Sequence, residues 1–464
     1  MACFVINGRK KISGTFRPAG NKNAVLPMLA ACLLTEEKII LHNVPAIQDV
    51  ATMLEILSDL GVSVCRKNDT LTLCAASIRK KKLNEKLCGK VRSSILFAGP
   101  MVARHGAATI YPPGGDVIGR RRLDSHFLGL KALGVDIAGD DYFAFKGKKI
   151  RGADILMDEA SVTATENIVM AAVLAEGKTT LFNAACEPHV QDLCVLLGKM
   201  GAKVSGLGTN LLTIEGVPVL HGTEHEVGLD HIEMGSFLAA AAVTGGDLVI
   251  PDIDPGFFAP LQRPFAALGL DLRMERGLKH RNLKTSNVQH PTSNDGFELN
   301  VESSTLRVES CRLLGTHSLK LHAHSKLKLR ADYGLAIPKI EDGPWPSFPS
   351  DLMSIAIVVG TQTEGTALFF EKMFESRMYF VDRLIDMGAK IVQCDPHRVV
   401  VIGPSRLHAI PLSSPDIRAG MAMLIAALCA KGESVIHNAE VIDRGYERVE
   451  ERLRALGADI VREE

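Results

Sequence analysis

Apolar and polar positions recur along this chain in one fixed order. A run of small apolar residues at helical spacing is followed by a short alternating strand, then by an amphipathic helix ending in Leu-Gly or Met-Gly, then by further short strands. The six junctions are Leu60-Gly61, Leu133-Gly134, Met200-Gly201, Leu268-Gly269, Met387-Gly388 and Leu456-Gly457. Each puts glycine where a helix stops and the chain needs a left-handed residue. Successive junctions lie about 70 residues apart, except that Gly269 to Gly388 is longer by about 50. The apolar helices are predicted over 23–34, 92–104, 163–175, 233–243, 351–360 and 416–430, preceding the strands KIILHNV, AATIYPP, KTTLFNA, DLVIPDI, GTALFFE and ESVIHNA.

Six βα-type units result, and a last short strand closes most of them (TLTLC, YFAFK, NLLTI, RVVVI). The sixth stops at Glu464 without one, and the amino-terminal CFVI is available to supply it. The pattern predicts an α/β protein of two domains with three repeats each, residues 22–229 in one and residues 1–21 with 230–464 in the other. The long interval is assigned to an insertion at about 279–330, an added hairpin or loop. Its His317, His322 and His324 have no accompanying cysteine or carboxylate pattern and read as solvated strand, not as a metal site.

Composition narrows the function. A chain of 464 residues is too long for one core, and its 53 basic and 53 acidic residues exclude a nucleic-acid binder that relies on bulk charge. Any anion site must be local. The start MACFVINGRK lacks the basic and apolar regions of a secretory signal, and no apolar run is long enough to span a bilayer, so a cytoplasmic protein without membrane contact is expected. Ten cysteines are scattered singly, which favours reduced thiols over a disulfide frame or zinc site.

Chemistry gathers at the starts of the apolar helices. These read Lys22-Asn23, Arg92-Ser93-Ser94, Ser161-Val162-Thr163, Asp230-His231-Ile232-Glu233, Ser350-Asp351 and Asp416-Ile417-Arg418. Serine, threonine, asparagine and aspartate serve there as N-caps. Lys22, Arg92 and Arg418 are different, because a cation at the positive end of a helix dipole needs an anion nearby, from a ligand or from a structural ion pair. If the repeats are equivalent, these ends point into one cleft between the halves. A second cluster, PPGGDVIGRRRLD from Pro112 to Asp124, is a turn-rich loop with three adjacent arginines. Loop–helix junctions of later units again place arginine at Arg377 and Arg444, while Glu447 and Arg448 read as ordinary surface charges.

The segments GNKNAVLPMLAACLL, PPGGDVIGRRRLDSH, MDEASVTATEN, PSFPSDL, FESRM, SPDIRAG and VIDRGYER resemble, in order, the motifs of the UDP-N-acetylglucosamine 1-carboxyvinyltransferase family of enolpyruvyl transferases. The likeness covers nearly the whole chain outside the insertion. It implies a two-domain inverted α/β barrel, an inside-out α/β prism. It also implies transfer of the enolpyruvyl group of phosphoenolpyruvate to the 3-hydroxyl of UDP-N-acetylglucosamine through a tetrahedral ketal, with release of phosphate and with no metal or organic cofactor. By this resemblance Asp351 is the base toward the sugar hydroxyl. Asp116 is the acid, standing where many members carry cysteine. Lys22, Arg121, Arg418 and Arg444 hold the donor's anionic groups, with Arg92 and Arg377 as further candidates. Asn23, Ser161, Thr163 and Asp124 orient the nucleotide sugar, and Asp416 lies near the reacting centre. With aspartate at 116, epoxides such as fosfomycin that alkylate the family's cysteine find no thiolate.

Three departures bear on the acceptor: Arg122 replaces the usual proline after the loop arginine, Glu159 a lysine before the Ser-Val pair, and His231 an arginine. The nucleotide end of the pocket therefore differs from the family pattern. The sister reaction on shikimate 3-phosphate is disfavoured, because that enzyme's Gly-Asn-Ala-Gly-Thr loop and Arg-x-Lys-Glu segment are missing. A silent nucleotide-sugar-binding paralogue would not need Lys22, Asp351, Asp416 and Arg444 together.

Overall fold

The computed structural model describes residues 2–116, 119, 122–276, 317–322, 326–332, 334 and 336–464. All six junction glycines have positive φ, between 89° and 105°, a region that side chains with a Cβ enter at a cost. They end the amphipathic helices Gln48–Leu60, Asp124–Ala132, Pro188–Lys199, Pro255–Ala267, Val381–Asp386 and Val449–Ala455.

Each unit builds one small sheet, so the described residues form six, of three to five strands. In the first, Thr223–Glu226, Lys38–His42, Thr70–Cys74 and Ser63–Lys67 lie in that order. The outermost strand comes from the end of the third unit and pairs in parallel with Lys38–His42, Thr223 opposite Ile39, which closes three units into a ring. The strands alternate between buried and exposed positions, as for Ile39 and Leu41 inside against Lys38 outside, so each sheet has one apolar face. The amino-terminal strand Cys3–Asn7 lies between Glu433–His437 and Asp459–Glu463, antiparallel to both, and so completes the sixth sheet as expected.

Those apolar faces cover the small-residue helices. Lys22–Ala31, Val162–Ala172, His231–Thr244, Met353–Gln362 and Ile417–Cys429 are buried along almost their whole length, which explains their near-continuous Ala/Val/Ile/Leu content. Helices lie inside and sheets outside. Two separate cores result, one built from residues between Ala24 and Val227, the other from Phe4 to Phe16 together with residues from Ile232 to Ile460. Where the chain crosses between them, Gly20 bridges Leu229.

The insertion is shorter than the sequence pattern implied. Residues 277–316 lie outside the described set, but His317–His322 is the regular strand of the fourth sheet, antiparallel to Asp271–Arg276 and to Leu248–Ile250, with Leu319 and Leu321 buried. Leu327–Lys328 belongs to the fifth sheet. The LKL alternation is therefore part of the repeat. His324 is among the residues not described. Among the described residues no helix is long and apolar enough to cross a membrane, and no group of three or more metal-capable side chains occurs. The nine described cysteines are free thiols.

Candidate active site

Helix starts from both lobes meet at one cleft of about 130 Å³. Ten of the residues singled out in the sequence line it: Lys22, Asn23, Arg92, Asp116, Thr163, Asp351, Arg377, Asp416, Arg418 and Arg444. The local causes are readable. Asn21 caps the helix Lys22–Ala31 by accepting from the N–H groups of Asn23 and Ala24, which orients Lys22 at its first position. Asp416 caps Ile417–Cys429 in the same way, accepting from Arg418 and Ala419 at 2.8 and 2.9 Å. Asp351 sits in the tight turn Ser350–Leu352 that leads into Met353–Gln362.

Asp116 is brought in by its two glycines. The Gly114 N–H donates to the Cys88 carbonyl at 3.0 Å, and a Cβ at Gly114 would stand 1.7 Å from the Gly89 carbonyl oxygen. Gly115 has φ +105° and packs on Arg92. A side chain at either position would push the loop, and Asp116 with it, off this seat.

Lys22 and Arg418 at the helix starts, and Arg377 and Arg444 beside them, have protein counter-ions. Asp351 accepts from Arg377 at 2.6 Å and from Arg418 Nε at 3.1 Å. Arg418 also donates to the Tyr446 hydroxyl at 3.1 Å, and that hydroxyl lies 2.8 Å from Ser236 Oγ. Arg444 meets Asp49 at 3.0 Å and Asp116 at 2.5 Å, and Lys22 meets Asp49 at 2.6 Å. The ion-pair reading of these basic positions thus holds within the protein itself. Arg92 donates to the Arg122 carbonyl at 3.3 Å. Asp49, buried in the first turn of Gln48–Leu60, was missed in the sequence because an acid there looks like an ordinary partner of the helix dipole.

Charge states differ sharply among the carboxyls. Burial alone would raise Asp351, but the Arg418 and Arg377 guanidiniums outweigh it and hold the carboxyl far below the usual range. Asp416 goes the other way: burial raises its proton affinity and Asp116 adds to that, against the opposing N–H groups and Arg377. Arg418 and Arg377 remain cations, since the neighbouring carboxylates, Asp351 foremost, overcome the burial that disfavours their charge. Thr163 Oγ1 lies 3.1 Å from His126, which burial, aided by Arg92, pushes down to about 3, so that ring is neutral.

Two predicted residues are not gathered here. Asp124 pairs with Arg122 at 2.5 Å on the exposed surface. Ser161 precedes Val162–Ala172 without a side-chain capping bond and does not line the cleft. Arg121 lies outside the described residues. Glu447 is not a mere surface charge: it accepts the Ala46 N–H at 3.0 Å across the lobe boundary. A second cavity of about 370 Å³ lies by the chain crossings and includes Asn21, His189 and His231, but none of the predicted site residues. There His231 stacks on His189, meets Trp345 edge-on, and lies 3.2 Å from the Asn21 amide.

A two-lobed, inside-out repeat whose helix starts surround one ion-paired cleft is the architecture of the carboxyvinyl transferases. The chain matches the family model described as EPSP synthase (3-phosphoshikimate 1-carboxyvinyltransferase) over residues 6–308 and 322–453, and it belongs to that family. Among solved structures it is similar to the enolpyruvyl transferase NikO from Streptomyces tendae, with TM-score 0.80 and 21% identity over 99% of this chain and 98% of that one. It is also similar to EPSP synthase from Acinetobacter baumannii, with TM-score 0.71 and 18% identity over the full length of both. Within the family the sequence is far nearer to one kind of member. UDP-N-acetylglucosamine 1-carboxyvinyltransferase of Treponema denticola is 50% identical over 98% of each chain, and that of Treponema pallidum is 49% identical over the whole of each.

Proposed function

We propose that this enzyme transfers the enolpyruvyl group of phosphoenolpyruvate to the 3-hydroxyl of UDP-N-acetylglucosamine and releases phosphate, the first committed step of peptidoglycan precursor synthesis. The observation that carries the reading is the meeting of Lys22, Arg418 and Arg444 with Asp116, Asp351 and Asp416 in one two-lobed cleft. Full-length identity of about half to relatives with that activity in their name sets the acceptor.

The reaction needs anion grip and two proton movements. A proton joins the donor's methylene carbon while the sugar oxygen bonds to its neighbour, giving a tetrahedral ketal. Loss of phosphate and of a methyl proton then restores the double bond. Asp116, on its glycine-seated loop and paired with Arg444, is assigned delivery of a proton to the methylene, a proton it takes up when the anionic donor displaces it from that pair. Asp351, fixed as an anion by two arginines, is suited to accept a hydrogen bond from the sugar hydroxyl and orient it, but its low proton affinity makes it a weak base. Asp416, whose proton affinity is raised, is the better-matched group to take that proton. Lys22, Arg418 and Arg444 stabilise the charge on the donor and the leaving phosphate, with Arg92 and Arg377 supporting them. Asn23 and Thr163 face the acceptor side, where Asp124 and Ser161 would join through movement of their loops, while Arg121 is assigned with the cations that hold the donor.

Phosphate release tests this reading: phosphoenolpyruvate with UDP-N-acetylglucosamine gives one phosphate per enolpyruvyl product, and substitution of Asp416 by asparagine lowers turnover more than it changes either KM. Unchanged turnover in that variant would remove Asp416 from the proton path.

A further inference from the structure

We propose that Asp49 is a positioning residue that sets the spacing of the two cations gripping the donor and leaves Asp116 as the partner the donor displaces. The proposal rests on the function given above. One carboxylate oxygen of Asp49 lies 2.6 Å from Lys22 Nζ and the other 3.0 Å from Arg444 Nε. Lys22 comes from the first lobe and Arg444 from the second, so a single buried carboxylate ties two cations across the cleft. Two cations held this close repel each other, and a shared anion cancels that repulsion while fixing both long side chains.

Arg444 also offers Nη1 to Asp116 at 2.5 Å. Its two carboxylate partners are not equivalent. The Asp49 side chain is 6% exposed, sits on a 13-residue helix and holds both cations; that of Asp116 is 17% exposed, follows Pro-Gly-Gly in a loop and holds one. An arriving phosphate or carboxylate therefore exchanges with Asp116 and not with Asp49. The exchange frees Asp116 beside the donor while Lys22 and Arg444 keep their separation, which couples donor arrival to release of the residue assigned the proton transfer.

The test is steady-state phosphate release by Asp49→Asn and Asp49→Glu, with the thermal midpoint of each. Asp49→Asn is expected to raise KM for phosphoenolpyruvate at least about tenfold while KM for UDP-N-acetylglucosamine stays within about twofold, and Asp49→Glu is expected to recover part of the loss. Unchanged constants, or both KM values rising together with a lower midpoint and no rescue, overturn the proposal. If Asp49→Asn does not fold, Asp49→Glu carries the same test: its longer arm raises the donor KM alone, and an unaltered donor KM overturns the proposal. If the wild type releases no phosphate, the functional reading falls separately. Calorimetric binding of phosphoenolpyruvate in the presence of UDP-N-acetylglucosamine then decides, weaker binding by Asp49→Asn supporting the proposal and equal binding overturning it.

Discussion

Asp351 on the floor of the cleft and Glu371 in the layer just behind it are neighbouring carboxyls whose proton affinities shift in opposite directions. On the floor, Asp351 is an anion because Arg377 and Arg418 flank it. Behind it, Glu371 accepts from Ser350 Oγ at 2.8 Å and from the N–H groups of Met373 and Phe374, with Asp342 close by. Burial, reinforced by Asp342, pushes Glu371 up to about 9, although Arg377 opposes it. Glu233 behaves similarly, raised to about 7 by burial against the pull of Arg452. Asp351 is flanked by two guanidiniums and its side chain stays 23% exposed, whereas Glu371 and Glu233 are buried, so cations in contact and depth act together. Glu371 braces the turn that presents Asp351 through its bond from Ser350, and the cleft floor is where the proposal places the donor.

Removing a cation from the floor has the largest expected effect. Arg418→Met leaves Asp351 with one guanidinium, and we expect a loss of about 3–5 kcal/mol in stability by denaturant titration, with turnover falling at least about a hundredfold. Stability within error of wild type would show that Asp351 does not depend on that pair. Next is Asp116→Asn, which keeps shape and removes the exchangeable proton: turnover should drop about a hundredfold or more, and near-normal turnover ends the acid assignment. In the same position, Asp116→Cys should gain time-dependent inactivation and a mass adduct with fosfomycin, neither of which is expected of the wild type.

The layer behind gives a smaller, pH-dependent signal. A carboxyl whose folded pKa is raised contributes stability that is full below its unfolded value near 4.3 and lost as pH rises toward about 9. Asp351 has the opposite sign: its depressed pKa contributes stability above about 3.9 that is lost as pH falls below that value. Glu371→Gln should therefore flatten the decline of stability between pH 5 and 8, by about 1–3 kcal/mol, and leave the acid limb unchanged. A variant curve parallel to wild type would place the charge on Glu371 at neutral pH. The smallest effect is expected at the solvated Asp124–Arg122 pair, where Asp124→Asn should not move the thermal midpoint; a change confined to the acceptor KM would support its assignment to the sugar nucleotide.

Much of this was legible from residue order. The junction glycines and the small-residue helices fixed the six units, because left-handed caps and full burial each restrict residue type. The strand Cys3–Asn7 followed from a missing edge in the sixth unit. The extent of the insertion did not, since an alternating Leu-Lys-Leu strand looks the same whether it extends a loop or resumes a sheet. Site residues were readable where a cation stood at a helix start. Asp49 and Glu371 were not, because their importance comes from partners 27 or more residues away in Lys22 and 21 residues away in Ser350, or across the lobes in Arg444. Asp124 and Ser161 carry the right motif yet lie away from the cleft walls, since motif order does not specify where a loop rests.

Phosphate release from phosphoenolpyruvate, measured against a panel of UDP-sugars and shikimate 3-phosphate, is the most direct test of whether this cleft is an enolpyruvyl transfer site with a nucleotide-sugar acceptor. The account predicts rapid, stoichiometric release with UDP-N-acetylglucosamine and none with shikimate 3-phosphate. Release with shikimate 3-phosphate, or with no UDP-sugar at all, would contradict it.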